Sequence, residues 1–130
     1  MAYYPDMVEL MPARLRPADP EAVAEALANP EPTPGDLRLL SRHFLAVLAE
    51  RAPGASVEVR VPPYAAAQAI AGVRHTRGRP PAVIETDAAT WIALATGSLS
   101  WSDAEAGGRV RASGERADLS PYLPLHRADP

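Results

Sequence analysis

The 130-residue sequence contains no cysteine. That absence excludes disulfides, thiolate nucleophiles and cysteine-ligated zinc together. Lysine is also missing, so all 13 basic residues are arginine. Against 16 acidic residues they leave a formal net charge of −3. A nucleic-acid binder needs a clustered positive field to release phosphate counterions, and this balance argues against one. One Phe, two Trp and four Tyr leave a core that must be built mainly from aliphatic side chains. No apolar run approaches the roughly 20 residues that cross a bilayer, so no integral membrane segment is expected. The opening stretch MAYYPDMVEL has neither a basic n-region nor an apolar h-region. It is not expected to act as a secretory signal, and a cytoplasmic protein is the expectation. No GxSxG elbow, GxGxxG loop, Walker loop or HExxH helix occurs.

What is present fits one domain, because a chain of this length buries one modest core. The 47% hydrophobic and 22% charged fractions are ordinary for a globular protein. Residues 1–18 are broken by proline and lack a sustained period, so they read as an N-terminal arm. The domain proper spans 19–125, and 126–130 read as a frayed polar tail that includes a solvated His126.

Helix signals are clear. Asp19-Pro20-Glu21 opens a short helix over about 20–28. Thr33, Pro34 and Asp36 form a capping-box pattern ahead of a helix over about 34–51. On it, Leu37, Leu40, Phe44, Val47 and Leu48 share one face, widened by Leu45. Pro53-Gly54 stops it. Asp87 caps a helix that ends at Gly97, and Ser100 caps a shorter one that ends at Gly107-Gly108.

Between these lie strands. Val57, Val59 and Val61 alternate with polar residues. The run Tyr64 to Ile70 is taken to continue that strand past Pro62-Pro63, as an edge strand or bulge tolerates. Pro81 to Thr86 is a further strand, expected to pair with the preceding one as a hairpin around the turn-rich Gly72 to Arg79. Arg109 to Ser113 alternates again. Grouped helices and adjoining strands predict an α+β fold with a mainly antiparallel sheet, not a βαβ repeat.

Two clusters stand out as candidate site residues. Arg74, His75 and Arg77, with Arg79, place guanidiniums and an imidazole in one short loop. They suit a carboxylate, phosphate or acyl-CoA head group, or else a solvated hairpin tip. Trp91, Leu94, Leu99, Trp101, Leu119, Tyr122 and Leu123 fall on two consecutive helices and the tail. They line one apolar cavity or simply make the core. His43, on the long helix, reads as a half-buried or surface imidazole, since no histidine has metal-ligand spacing. Asp87 and Asp103 are accounted for as cap residues. No nucleophile–base pair survives, so no enzyme, metal or cofactor is expected.

The stretch from Val83 to Leu125 resembles the end of a sterol carrier protein domain. The features that carry the resemblance are Asp87, Leu94, Thr96-Gly97, Leu99, Ala104, Gly108, Val110 and Gly114. With RVPPYAAAQAI, RHTRG, LSW, ASG and RADLSPYLPL, the chain is similar to an actinobacterial sterol-carrier-like family over about 34–125. The resemblance implies a curved, mainly antiparallel sheet covered by helices around an apolar tunnel. It implies non-catalytic binding of a hydrophobic or amphipathic small molecule such as a lipid, fatty acid, acyl-CoA or sterol. Related domains end mycothiol-dependent maleylpyruvate isomerase-like proteins. That relation implies an alternative role, an accessory domain with a collapsed cavity that partners a DinB-like enzyme.

Overall fold

Asp19, Thr33, Asp87 and Ser100 each accept a hydrogen bond from the backbone N–H three residues ahead, and each opens a helix. In the computed structural model, which describes residues 15–72, 81–115 and 117–126, these helices are α1 (Pro20–Ala28), α2 (Pro34–Arg51), α3 (Ala88–Thr96) and α4 (Trp101–Ala106). The capping box of α2 is complete, with Asp36 Oδ2 accepting from Thr33 N at 3.0 Å and from Asn29 Nδ2 at 2.8 Å. The backbone N–H of Thr33, then the Asn29 amide, hold the Asp36 carboxyl below its usual range.

Four strands, β1 (Val57–Val61), β2 (Ala65–Ala69), β3 (Ala82–Thr86) and β4 (Val110–Ser113), form one open sheet in the order β2-β1-β3-β4. The fold class is α+β, as the sequence implies, and two of the three pairings are antiparallel. Two strand expectations are corrected. Pro62-Pro63 does not interrupt a long strand. It makes the tight turn of a β1–β2 hairpin, with Tyr64 N donating to Val61 O at 2.9 Å. Nor do β2 and β3 pair. Val57 of β1 stands between Ala69 of β2 and Ala82 of β3, and β1 runs parallel to β3. The reason is apolar: β1 alternates Val57, Val59 and Val61 toward the core and belongs in the centre, whereas the alanines of β2 suit an edge.

Those alanines have a second use. Ala65, Ala67 and Ala69, on the same face as Val61, Val59 and Val57, are all buried, and α2 lies against this strand. Small side chains let helix and sheet approach closely. Alanine prefers helix by intrinsic propensity, so here tertiary packing overrides it. The buried face of α2 carries Leu40, Ser41, Phe44, Leu45 and Leu48, while Leu37 and Val47 are half-buried. The face is broader than its apolar stripe because α2 also meets α1 and α3. The opposite face of the sheet is polar, with Glu58 and Arg60 ion-paired and Arg60, Glu85 and Arg111 in one cross-strand row.

Candidate ligand-binding site

Helix α3 is fixed at both ends. Asp87 accepts from Thr90 N at 2.8 Å and from the Thr90 hydroxyl at 2.9 Å. At the other end Gly97 takes a left-handed conformation (φ 85°), which turns the chain out of the helix. Leu99 follows, Ser100 caps α4, and Trp101 begins it. The C-terminal segment then returns across this corner. Leu125 N and His126 N both donate to Ala95 O, at 2.8 and 2.9 Å, and Pro124 lies over Gly97. A cleft of about 540 Å³ remains between α3–α4 and the returning segment.

Leu94, Leu99, Trp101, Leu123 and Pro124 give this cleft its apolar walls. Its rim carries the hydroxyls of Ser100, Ser102 and Ser120 and the carboxylates of Glu105 and Asp118. The size lies within the range of small-molecule sites, and apolar walls with a few polar groups at the mouth are their usual composition.

The structure thus brings together four of the seven apolar residues singled out in sequence: Leu94, Leu99, Trp101 and Leu123. Trp91 and Leu119 are fully buried in the core instead. The Trp91 indole donates to Ser41 O at 3.2 Å and ties α3 to α2. Tyr122 is half-buried in a short 3₁₀ turn (Ser120–Tyr122) and packs against the core without lining the cleft. Arg74, His75 and Arg77 lie outside the described residues. Sequence reading missed Asp118, Ser120 and Pro124 as cleft residues. The proline interrupting an apolar tail was the one available signal that the tail folds back rather than extends.

His126 is half-buried, where the sequence reading expected it to be solvated. Its ring meets Phe44 edge-on at 6.0 Å, and its backbone is bonded to α3. His43 flanks the same phenyl ring at 4.9 Å, and its Nδ1 accepts from Ala18 N at 2.9 Å. An accepting Nδ1 leaves the proton of the neutral ring on Nε2. Burial, then the nearby His126, hold the His43 pKa below its ordinary value of 6.5, opposed by Glu50. Between that lowered value and 6.5 the unfolded chain binds the proton and the folded one does not, so stability rises with pH. Stability is therefore expected to fall as pH drops from 7.5 toward 5, starting near 6.5. Urea midpoints across that range check this, and His43→Gln flattens the His43 part of the slope. An unchanged slope would show that the imidazole does not feel its burial.

Among the described residues no group of three His, Asp or Glu side chains is placed to hold a metal ion. No helix among them is long and apolar enough to cross a membrane.

The sequence model described as bacterial SCP ortholog, where SCP abbreviates sterol carrier protein, matches residues 35–125. The chain belongs to this family. No curated protein matches the chain. The span matched to the bacterial sterol carrier orthologs runs from the first turn of α2 to Leu125, so the whole cleft lies inside it. Helix α1 precedes it. Membership in this carrier family points to lipid- or sterol-type binding.

Proposed function

We propose that the protein binds and carries a hydrophobic or amphipathic small molecule, seated in the cleft between α3–α4 and the C-terminal segment. The observation that carries this reading is the pairing of an apolar floor with a polar rim in a cleft of about 540 Å³ within the family's matched span. Each Å² of apolar ligand surface removed from water contributes about 25 cal/mol, so an acyl chain or ring system binds there without any catalytic group. The reading assigns no covalent step.

Native mass spectrometry of freshly purified protein, followed by organic extraction, tests it. A co-purifying mass that extracts as a lipid supports carriage and names the cargo class. A clean apo mass, with no uptake of a labelled fatty acid or sterol, defeats it in favour of an accessory domain that works through a protein partner.

Trp101→Ala separates floor from core. Trp101 is 6% exposed and lines the cleft, so its loss is expected to weaken ligand uptake at least about tenfold. Its stability cost should stay near 1–3 kcal/mol, roughly the value of burying one large apolar side chain. Fluorescent-ligand titration beside urea unfolding reads both. Full uptake by a folded Trp101→Ala protein would remove the indole from the site.

A further inference from the structure

A second cleft, of about 380 Å³, lies where the chain before α1 crosses the first half of α2. Its lining is the opposite in charge to the first. Arg16, Arg38 and Arg42 line it with His43, while Ala18 and Leu39 add apolar surface and Gly35 contributes no side chain. No Asp or Glu is among the described lining residues, in a chain whose net charge is −3. Asp36, on the same helix, is not among them and is held in the α2 cap by Thr33 and Asn29.

Arg38 and Arg42 stand four residues apart on one helical face, a like-charge spacing that destabilises a helix slightly. Arg42 is steadied by a bond from Nη1 to Tyr64 O at 3.3 Å, which occupies one of its five N–H groups. Arg38 has contacts of its own, so it contributes here as a neighbouring positive charge and Arg16 and Arg42 carry the recognition. The His43 bond to Ala18 N pins the crossing segment that presents Arg16.

We infer that this cleft binds the phosphate group of a phosphomonoester. Two guanidiniums balance a phosphate carrying about −1.5 to −2 charge, and its three acceptor oxygens suit their forked N–H groups better than a single carboxylate does. The volume left beside a phosphate, next to Leu39 and Ala18, accommodates the group it is attached to. The shared chemistry belongs equally to a phospholipid head and to a free phosphomonoester. This inference stands apart from the apolar cleft and does not depend on a lipid being carried there.

The test is a titration of the full chain with inorganic phosphate, followed by ¹H–¹⁵N NMR against sodium chloride at equal ionic strength. Saturable shifts at Ala18, Gly35 and the Arg16 and Arg42 side-chain N–H groups are expected with phosphate alone. Arg16→Gln, at an exposed position, should weaken them at least about tenfold while the protein stays folded. Arg111→Gln, on the polar face of the sheet, should leave them unchanged. Vesicles of phosphatidic acid in phosphatidylcholine form the second arm. Arg16-dependent binding to them makes a lipid the source, and its absence beside phosphate binding makes the source a free phosphomonoester. Shifts that match those in chloride, or that persist in Arg16→Gln, overturn the assignment.

Discussion

Trp91→Ala is expected to lower the free energy of unfolding by about 3–5 kcal/mol. The indole is fully buried and is the largest side chain at the centre of the core. Its removal withdraws apolar contacts from the core where α3 packs on α2, and the rigid surroundings collapse only in part. It also deletes the bond to Ser41 O, which joins two helices across 50 residues of sequence. For a domain of this size the whole stability is about 5–15 kcal/mol, so the loss is a large fraction of it. Urea unfolding followed by Trp101 fluorescence and far-ultraviolet circular dichroism measures it. Trp91→Phe keeps most of the ring and loses the N–H donor, and should fall between the parent and the alanine variant. A cost below about 1 kcal/mol for Trp91→Ala would mean that the ring is not a core residue.

Gly54→Ala should be nearly as damaging, at about 3 kcal/mol or more, and for a different reason. Gly54 has a φ of 151°, and a Cβ placed there would lie 2.3 Å from both the carbonyl carbon and oxygen of Ile70. Those are backbone atoms at the end of β2, and they have no freedom to move aside. Ser56 N and Ser56 Oγ both donate to Ile70 O, at 3.0 and 2.6 Å, and Ile70 N donates to Ala52 O at 2.6 Å. Relieving the clash therefore breaks the bonds that dock β2 on the turn after α2. Gly108→Ala calibrates the experiment. Its φ is 69° with nothing within 4 Å of an added Cβ, so it reports the left-handed strain alone, about 1–2 kcal/mol. Thermal or urea unfolding of the two variants side by side gives the difference. Equal costs would show that the close approach at Ile70 does not exist.

The two variants also mark how far sequence reading reaches. Pro53-Gly54 reads correctly as a helix stop, because a stop is a local property. Nothing in neighbouring residues reveals that Ile70 passes against Gly54. Trp91 and Trp101 look equivalent as apolar residues near two helix starts. Only the tertiary arrangement distinguishes them: Trp91 is fully buried with its indole bonded to Ser41 of α2, whereas Trp101 lines a cleft beside the returning Leu123 and Pro124. The same return leaves His126 half-buried and sets it against Phe44.

The sequence by itself determined the four helices and their caps, the strand segments, the α+β class and the family resemblance. Each of these rests on contacts within three or four residues, on a short period, or on motif order along the chain. Tertiary structure alone decided that β1 separates β2 from β3, that Pro62-Pro63 closes a hairpin, and which apolar residues face a cleft. It alone gathered Arg16 beside Arg38 and Arg42. Those outcomes depend on which distant segments compete to cover the same apolar face, and local spacing does not encode the winner.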